Sequence, residues 1–394
     1  MNSPTHTIDP DGEVLLILRN ANSPFAHSDK LLFSSLGSKI VPSLCDSAQI
    51  TSEGTDKEPE LSVQEEQSKK EGLERTSELI SPNEEATAEE HIGEEAATEG
   101  HLAVLAVQNC LRIKVSAKHL MFASPVFKKT LTGGWKESMN YSQKGSTWVT
   151  ADGWDIEAFM IVLRAIHGQH YLITQKLSLE MLAKVTVIAD YYECKNALYL
   201  LKDVWIKNVK ADIPTTLSRD LILWLWIAWF FELPAQFSWS TSMVMSQSDK
   251  PIDSRGLPIP GIVIASMNVG REAAINDLIA HLHETRDAYL NNTRGCSFEC
   301  RSIMCGALTI HMQSSNLLLP KPDTPFPGLS YNGLVQKVQK FRSPAWYNAS
   351  KTYSTHACFH SSFENLFAKQ HYPLEGLELK KFTISRFGKS MVLS

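Results

Sequence analysis

Residues 115–138 read VSAKHLMFASPVFKKTLTGGWKES, and local chemistry divides them into two short helices. Ser116 is placed to cap a first helix running through Met121. Ser124-Pro125 sets a hydroxyl N-cap before a proline at the first helical position, where the missing N–H is no loss. Val126 to Leu131 then forms a second helix, and Gly133-Gly134 ends it. Upstream, Leu111, Ile113 and Val115 alternate with Arg112 and Lys114, the pattern of a half-exposed strand. Further back, Val14–Leu18 is a continuous apolar run after the turn pair Asp11-Gly12, which predicts a strand buried on both faces. His101 to Val107 reads as another strand. Residues 1–10 read as an N-terminal tail.

Downstream the helical signals continue. Thr147–Thr150 is a short strand. Asp155 caps a helix with Phe159, Val162, Leu163 and Ile166 on one face, closed by Gly168. Ser178 caps the next, with Leu179, Leu182, Ala183, Thr186, Ala189 and Tyr192 at helical spacing. A third carries Ala197, Leu200, Leu201, Val204 and Trp205 on its apolar stripe, and Pro214 marks a boundary. The run LILWLWIAWFF, Leu221–Phe231, would reach ~16 Å as a helix, about half a bilayer core, so it is expected to be a buried core helix and not a membrane span. A loop rich in Ser, Pro and Gly is expected from there to about Gly261. Helices follow at 269–289 and 299–312, and KPDTPFPG makes a rigid turn segment.

Charge is unevenly spread. The net charge of −5 combines 17 Asp/Glu and 4 Lys/Arg in residues 46–100 with a remainder of net +8. The 46–100 stretch has no Phe, Tyr or Trp, so it buries too little apolar surface to offset its ordering entropy and is expected to be a disordered acidic insertion. Seven cysteines in 394 residues are too sparse and odd in number for a disulfide scaffold, which points to free thiols in a reducing compartment. The N-terminus has neither a basic start nor an apolar core of signal-peptide type. The expected setting is intracellular, cytoplasm or nucleus.

The residues 115–138 resemble the heart of a BTB/POZ domain, and Ser124-Pro125-Val126-Phe127 is the most distinctive piece. DIEAFMIVLRAIHG (155–168) and LEMLAKVTVIADYYEC (179–194) follow in the family's order, the latter similar to its Leu-x-x-Leu-a-x-x-A-D-x-Y helix. Ser116 to Leu120, the Ile-His-Gly at 166–168 and the long C-terminal extension resemble a fungal group of these proteins. Many animal members have His-Lys at the start of the first helix; here Ser116 stands in place of that His. The resemblance implies an α+β chain: a BTB/POZ domain over 11–210, a small sheet with a helical cluster interrupted at 46–100, followed by a mainly α-helical C-terminal region over 211–394. It implies a non-enzymatic adaptor or scaffold that binds proteins and homodimerises through its first strand and first helix, which carries His119 and Leu120. Members that recruit a cullin-type ubiquitin ligase often have a hydrophobic-x-Glu signature after the Ser-Pro helix, where this chain has Trp135-Lys136-Glu137. The alternative is a transcription-associated regulator acting through a partner.

Dinucleotide and P-loop glycine patterns, the Gly-x-Ser-x-Gly elbow and His-Glu-x-x-His are all missing. Zinc-finger spacing and long basic runs are missing too, so no direct nucleic-acid partner is expected. Trp224, Trp226 and Trp229 sit among apolar neighbours and read as core. One constellation points to a structural zinc ion. Cys296 and Cys300 form C-x3-C at a helix start capped by Ser297, and His356 and Cys358 form H-x-C further on; together they make a Cys3His set. His360 is an alternative to His356. Cys305 is rotated about 140° from Cys300 and His311 lies ~16 Å along the helix from it, so both fit less well. His281 and His283 face away from each other.

Overall fold

The computed structural model of the chain describes residues 3–26, 110–210, 213–346, 356, 361–367 and 373–387. The acidic stretch 46–100 and the strand expected at 101–107 lie outside the described residues. Apart from Cys110, the described residues belong to one unit drawn from 1–37 and 111–394. Its architecture is α+β: one small mixed sheet and many helices.

Strands β1 (His6–Thr7), β2 (Val14–Arg19), β3 (Leu111–Val115) and β4 (Thr147–Asp152) form a four-stranded sheet in the order β1-β3-β2-β4. β2 is antiparallel to β3, with Val14 opposite Val115, and parallel to β4, with Val14 opposite Thr147. Val14, Leu16, Leu18, Ile113, Val115, Val149 and Ala151 are buried. Leu15 and Ile17 are only half-buried. β2 therefore buries one face and not two, because the core lies against a single side of the sheet. The expected tail also changes character. His6–Thr7 pairs parallel with β3, Thr5 donates its N–H and hydroxyl to the Arg112 carbonyl, and Ile8 is buried. A two-residue strand is too short to leave a periodic signal.

Six helices follow: α1 (Ala117–Ala123), α2 (Pro125–Thr132), α3 (Lys136–Lys144), α4 (Ile156–Ile166), α5 (Leu179–Tyr191) and α6 (Tyr199–Val209). Ser124, Asp155 and Ser178 accept first-turn N–H groups of α2, α4 and α5 as their side-chain chemistry dictates. α3 has no apolar stripe and buries only Ser138, which is why periodicity misses it. On α6 the buried face is Leu201, Trp205, Ile206 and Val209, whereas Leu200 and Val204, expected inside, are exposed.

Helix α7 (Arg219–Phe230) is buried on every side from Leu221 onward. It packs against α5 and against α8 (Pro234–Gln247). Trp226 Nε1 donates to Thr186 Oγ1 of α5 at 2.9 Å, so an indole N–H inside the core has its acceptor. α8 replaces the loop expected there. Its serines and threonines are not solvated: Leu377 N–H donates to Thr241 Oγ1, Leu374 N–H to Ser246 Oγ, and Ser242 Oγ donates to the Leu374 carbonyl. These short side chains admit the 374–377 segment directly against the helix. A Cβ at Gly376 would meet the Ser238 carbonyl oxygen at 1.8 Å, so only glycine fits.

The remaining main helices are α9 (Gly261–Leu290), α10 (Phe298–Ser314) and α11 (Tyr331–Val338). One core cluster runs from Ile8 of the sheet side through α7 and α8 to Met267 of α9; a second runs from Ile275 of α9 through α10 and α11 to Phe367. The buried core does not break at 210. It divides within α9, and Arg271 lies between Met267 and Ile275, fully buried. Its Nε donates to the Ser248 carbonyl (2.8 Å), Nη1 to Pro325 (2.8 Å), and Nη2 to Phe326 (3.1 Å) and Leu329 (2.9 Å). Burial lowers its pKa, but a guanidinium starts high enough to keep its charge. No described helix is long and apolar enough to cross a membrane. Replacing Arg271 with Met fills similar space but takes the guanidinium donor from the Ser248, Pro325 and Leu329 carbonyls and leaves Phe326 with the Leu329 N–H alone. Urea unfolding of R271M is expected to show a loss of about 3 kcal/mol or more, against a near-neutral result for the exposed Lys340→Met.

Candidate functional site

The two stretches that carry the family resemblance meet in space. Ser124 Oγ, while accepting the Phe127 N–H at 3.1 Å, donates to the Tyr192 carbonyl at 2.5 Å. The Phe127 ring stacks on Tyr192 with centroids 4.3 Å apart and planes 8° apart. Trp154 Nε1 donates to the Tyr192 hydroxyl at 3.3 Å. The start of α2 is thus fastened to the end of α5 by a hydrogen bond, a ring stack and burial.

The N-terminus of α1 is held differently from expectation. The Ser116 side chain makes no capping bond. Instead the Glu13 carboxylate accepts the Ala117 N–H at 3.0 Å, and His167 Nε2 accepts the Ser116 N–H at 3.1 Å. A carboxylate near a helix N-terminus is favoured by the helix dipole. His167 Nδ1 faces the Leu163 carbonyl at 2.7 Å and so carries the ring proton, leaving Nε2 as the acceptor. His119 stacks on His167 with centroids 5.0 Å apart.

The candidate interaction residues divide by exposure. Leu120 is fully buried and belongs to the core, not to a contact surface: helical spacing sets it beside Ala117 on the inner face. Lys118 and His119 are exposed, and Phe122 is 95% exposed. Trp135, 60% exposed, is the N-cap residue of α3; its carbonyl accepts from the Ser138 hydroxyl at 2.8 Å. Lys136 is exposed and Glu137 half-exposed in the first turn of α3, where a carboxylate suits the dipole. Phe122 and Met139, both exposed, were not singled out from the sequence. Only the solvent-facing phases of α1 and α3, set by tertiary packing, reveal them.

A second group of functional-type side chains lies in the C-terminal half. The ligand atoms of Cys296, Cys300 and His356 lie within 4.8 Å of one another, and Cys296 Sγ is 3.4 Å from His356 Nε2. Ser297 caps α10 by accepting the Cys300 N–H at 3.2 Å. His356 donates its backbone N–H to the Trp346 carbonyl at 2.7 Å, and the two rings lie 4.3 Å apart. Cys296 is exposed, Cys300 buried and His356 intermediate. Cys358 and His360 lie outside the described residues. Cys305 packs against the second core, and His311 stacks on Phe341, so neither joins the group. Cys110 departs from the expectation of free thiols throughout, being disulfide-bonded. Cys194 is buried, which pushes its thiol up to about 12 and leaves it unsuited to nucleophilic work.

No protein-family model matches the chain, and neither does any curated protein.

His167 couples the α1 contact to pH. Burial, first, and then the neighbouring His119 lower its pKa, while the Leu163 hydrogen bond and Asp9 oppose them. The unfolded chain then takes up a proton near 6.5 that the folded chain still refuses. Stability from this residue is complete above that pH and is lost as pH falls from 6.5 toward the lower folded value. Urea midpoints measured between pH 7.5 and 5.5 are expected to fall for the unaltered chain and to fall less for His167→Gln.

Proposed function

We propose that the chain is a BTB/POZ-type adaptor or scaffold, a non-enzymatic protein that binds protein partners through the 111–209 region. The observation that carries this reading is the junction of Ser124-Pro125-Val126-Phe127 with Tyr192: the two family-like stretches occupy one buried contact. A small mixed sheet followed by the helices α1 to α6, an α+β arrangement, supports the reading. Homodimerisation is part of the proposal. Phe122, almost wholly exposed on α1, is a large apolar side chain of the kind that anchors such contacts. Light scattering on the purified chain is expected to give a dimer at micromolar concentration, and Phe122→Asp to give monomer with unchanged circular dichroism. A monomer for the unaltered chain removes the dimer.

The same reading extends to a cullin-type ubiquitin ligase scaffold, supported by the exposed Trp135 beside Glu137 at the start of α3. Calorimetric titration with such a scaffold is expected to show binding. Trp135→Ala is expected to weaken it by about tenfold or more, with little change in melting temperature because the ring contributes little to the core. No binding by the unaltered chain would remove the ligase role while leaving the adaptor reading to the dimer measurement.

A further inference from the structure

We infer that Cys296, Cys300 and His356 hold one zinc ion, which fastens the chain around residue 356 to the N-terminus of α10. The geometry carries the inference. Zinc bonds to sulfur at ~2.3 Å and to imidazole nitrogen at ~2.0–2.1 Å, so two tetrahedral corners occupied by S and N lie ~3.6 Å apart and two occupied by S lie ~3.8 Å apart. Cys296 Sγ and His356 Nε2 are already 3.4 Å apart, and Cys300 Sγ is within 4.8 Å of both. Shifts of a fraction of an ångström to about one ångström bring all three to ligand distance.

Each ligand is also held in place by something other than the ion. Cys300 stands in the first turn of α10 with its N–H on the Ser297 cap, and Cys296 immediately precedes that cap. The dipole of the 17-residue helix favours the thiolate form that a metal needs. Gly295, at φ +98°, turns the chain just before Cys296; a Cβ there would meet the Arg301 side chain at 2.5 Å. His356 is located by its backbone bond to Trp346 and by the indole beside its ring, which leaves Nε2 directed at the sulfurs. Two thiolates and one imidazole are a soft donor set, selecting zinc over magnesium or calcium, and two thiolate charges balance the ion. Three protein ligands define the site, and water or an additional donor takes the fourth corner. The ion would join positions 60 residues apart in sequence, where the sulfur–imidazole contact alone is weak.

The test uses the full chain, purified reduced, loaded with zinc and desalted. About one equivalent of bound zinc is expected, and cobalt(II) substitution should give thiolate-to-metal charge-transfer bands with the intense visible bands of tetrahedral cobalt. Cys300 is buried, so its replacement risks the fold; Cys296→Ser and His356→Gln do not carry that risk. Each should weaken zinc binding at least about tenfold in competition with a chelator, while Cys305→Ser leaves it unchanged. Bound zinc should also protect Cys296 from iodoacetamide. Less than about one tenth of an equivalent of zinc without cobalt–thiolate bands overturns the site, as does binding that both the Cys296 and His356 variants retain at full strength.

Discussion

Helix α7 has no side that tolerates water. From Leu221 to Phe230 every residue is buried, including three tryptophans. At ~1.5–3 kcal/mol for each large apolar side chain removed from water, leaving one face open would forfeit a large share of a domain's net stability. Two neighbours must therefore cover it at once. α5, from the half of the chain that contains the sheet, covers one part, and α8, from the other half, covers another. The Trp226–Thr186 hydrogen bond gives that indole N–H its acceptor where α5 and α7 meet. The sheet, its helices and the start of the C-terminal half become one continuous core for this reason.

Several polar groups inside that core are matched to partners by different means, whereas Trp224 Nε1 and Ser240 Oγ are buried without one. α8 carries hydroxyls where a core helix usually carries branched apolar side chains, and three of them bind the backbone of Leu374 and Leu377. Arg271 works in the opposite sense: one cation serves carbonyls from the end of α8 and from the 325–329 turn, where the first core passes into the second. No ion pair is needed for it, because four carbonyl dipoles replace its hydration. On α5 the more exposed charges form a looser network, in which Glu180 bridges Lys184 and Arg219, and the Arg219 hydrogen bond, ahead of other causes, draws Glu180 below the ordinary carboxylate range.

Function, on the reading proposed above, depends on the faces that this core leaves over. α1 and α3 turn Phe122, Trp135 and Met139 outward while Leu120, Phe127 and Leu131 go in. The orientation of α1 rests on Glu13 and neutral His167, so its outer face is tied to residues that belong to the sheet side and to the end of α4. The Cys296–Cys300–His356 group sits apart from that surface in sequence and belongs with the second core, beside α10.

Local chemistry was enough for most of the helices near the quoted stretch. Ser124-Pro125, Asp155 and Ser178 mark helix starts through bonds made within three residues, and the all-apolar run at 221–231 could only be interior. The C-x3-C at a capped helix start was also legible, because Ser297 acts on Cys300 one turn away. What lay beyond local range was decided by packing. Ser116 has the right chemistry for a cap, but its place is taken by Glu13 and His167, distant in sequence. The serine-rich 234–247 stretch looked like a loop because its hydroxyl partners lie about 130 residues further on. The buried phase of α6, the strand in the tail and the approach of His356 to Cys296 are of the same kind. A residue's type states what it can bond to, and only the folded chain determines which of those groups arrives.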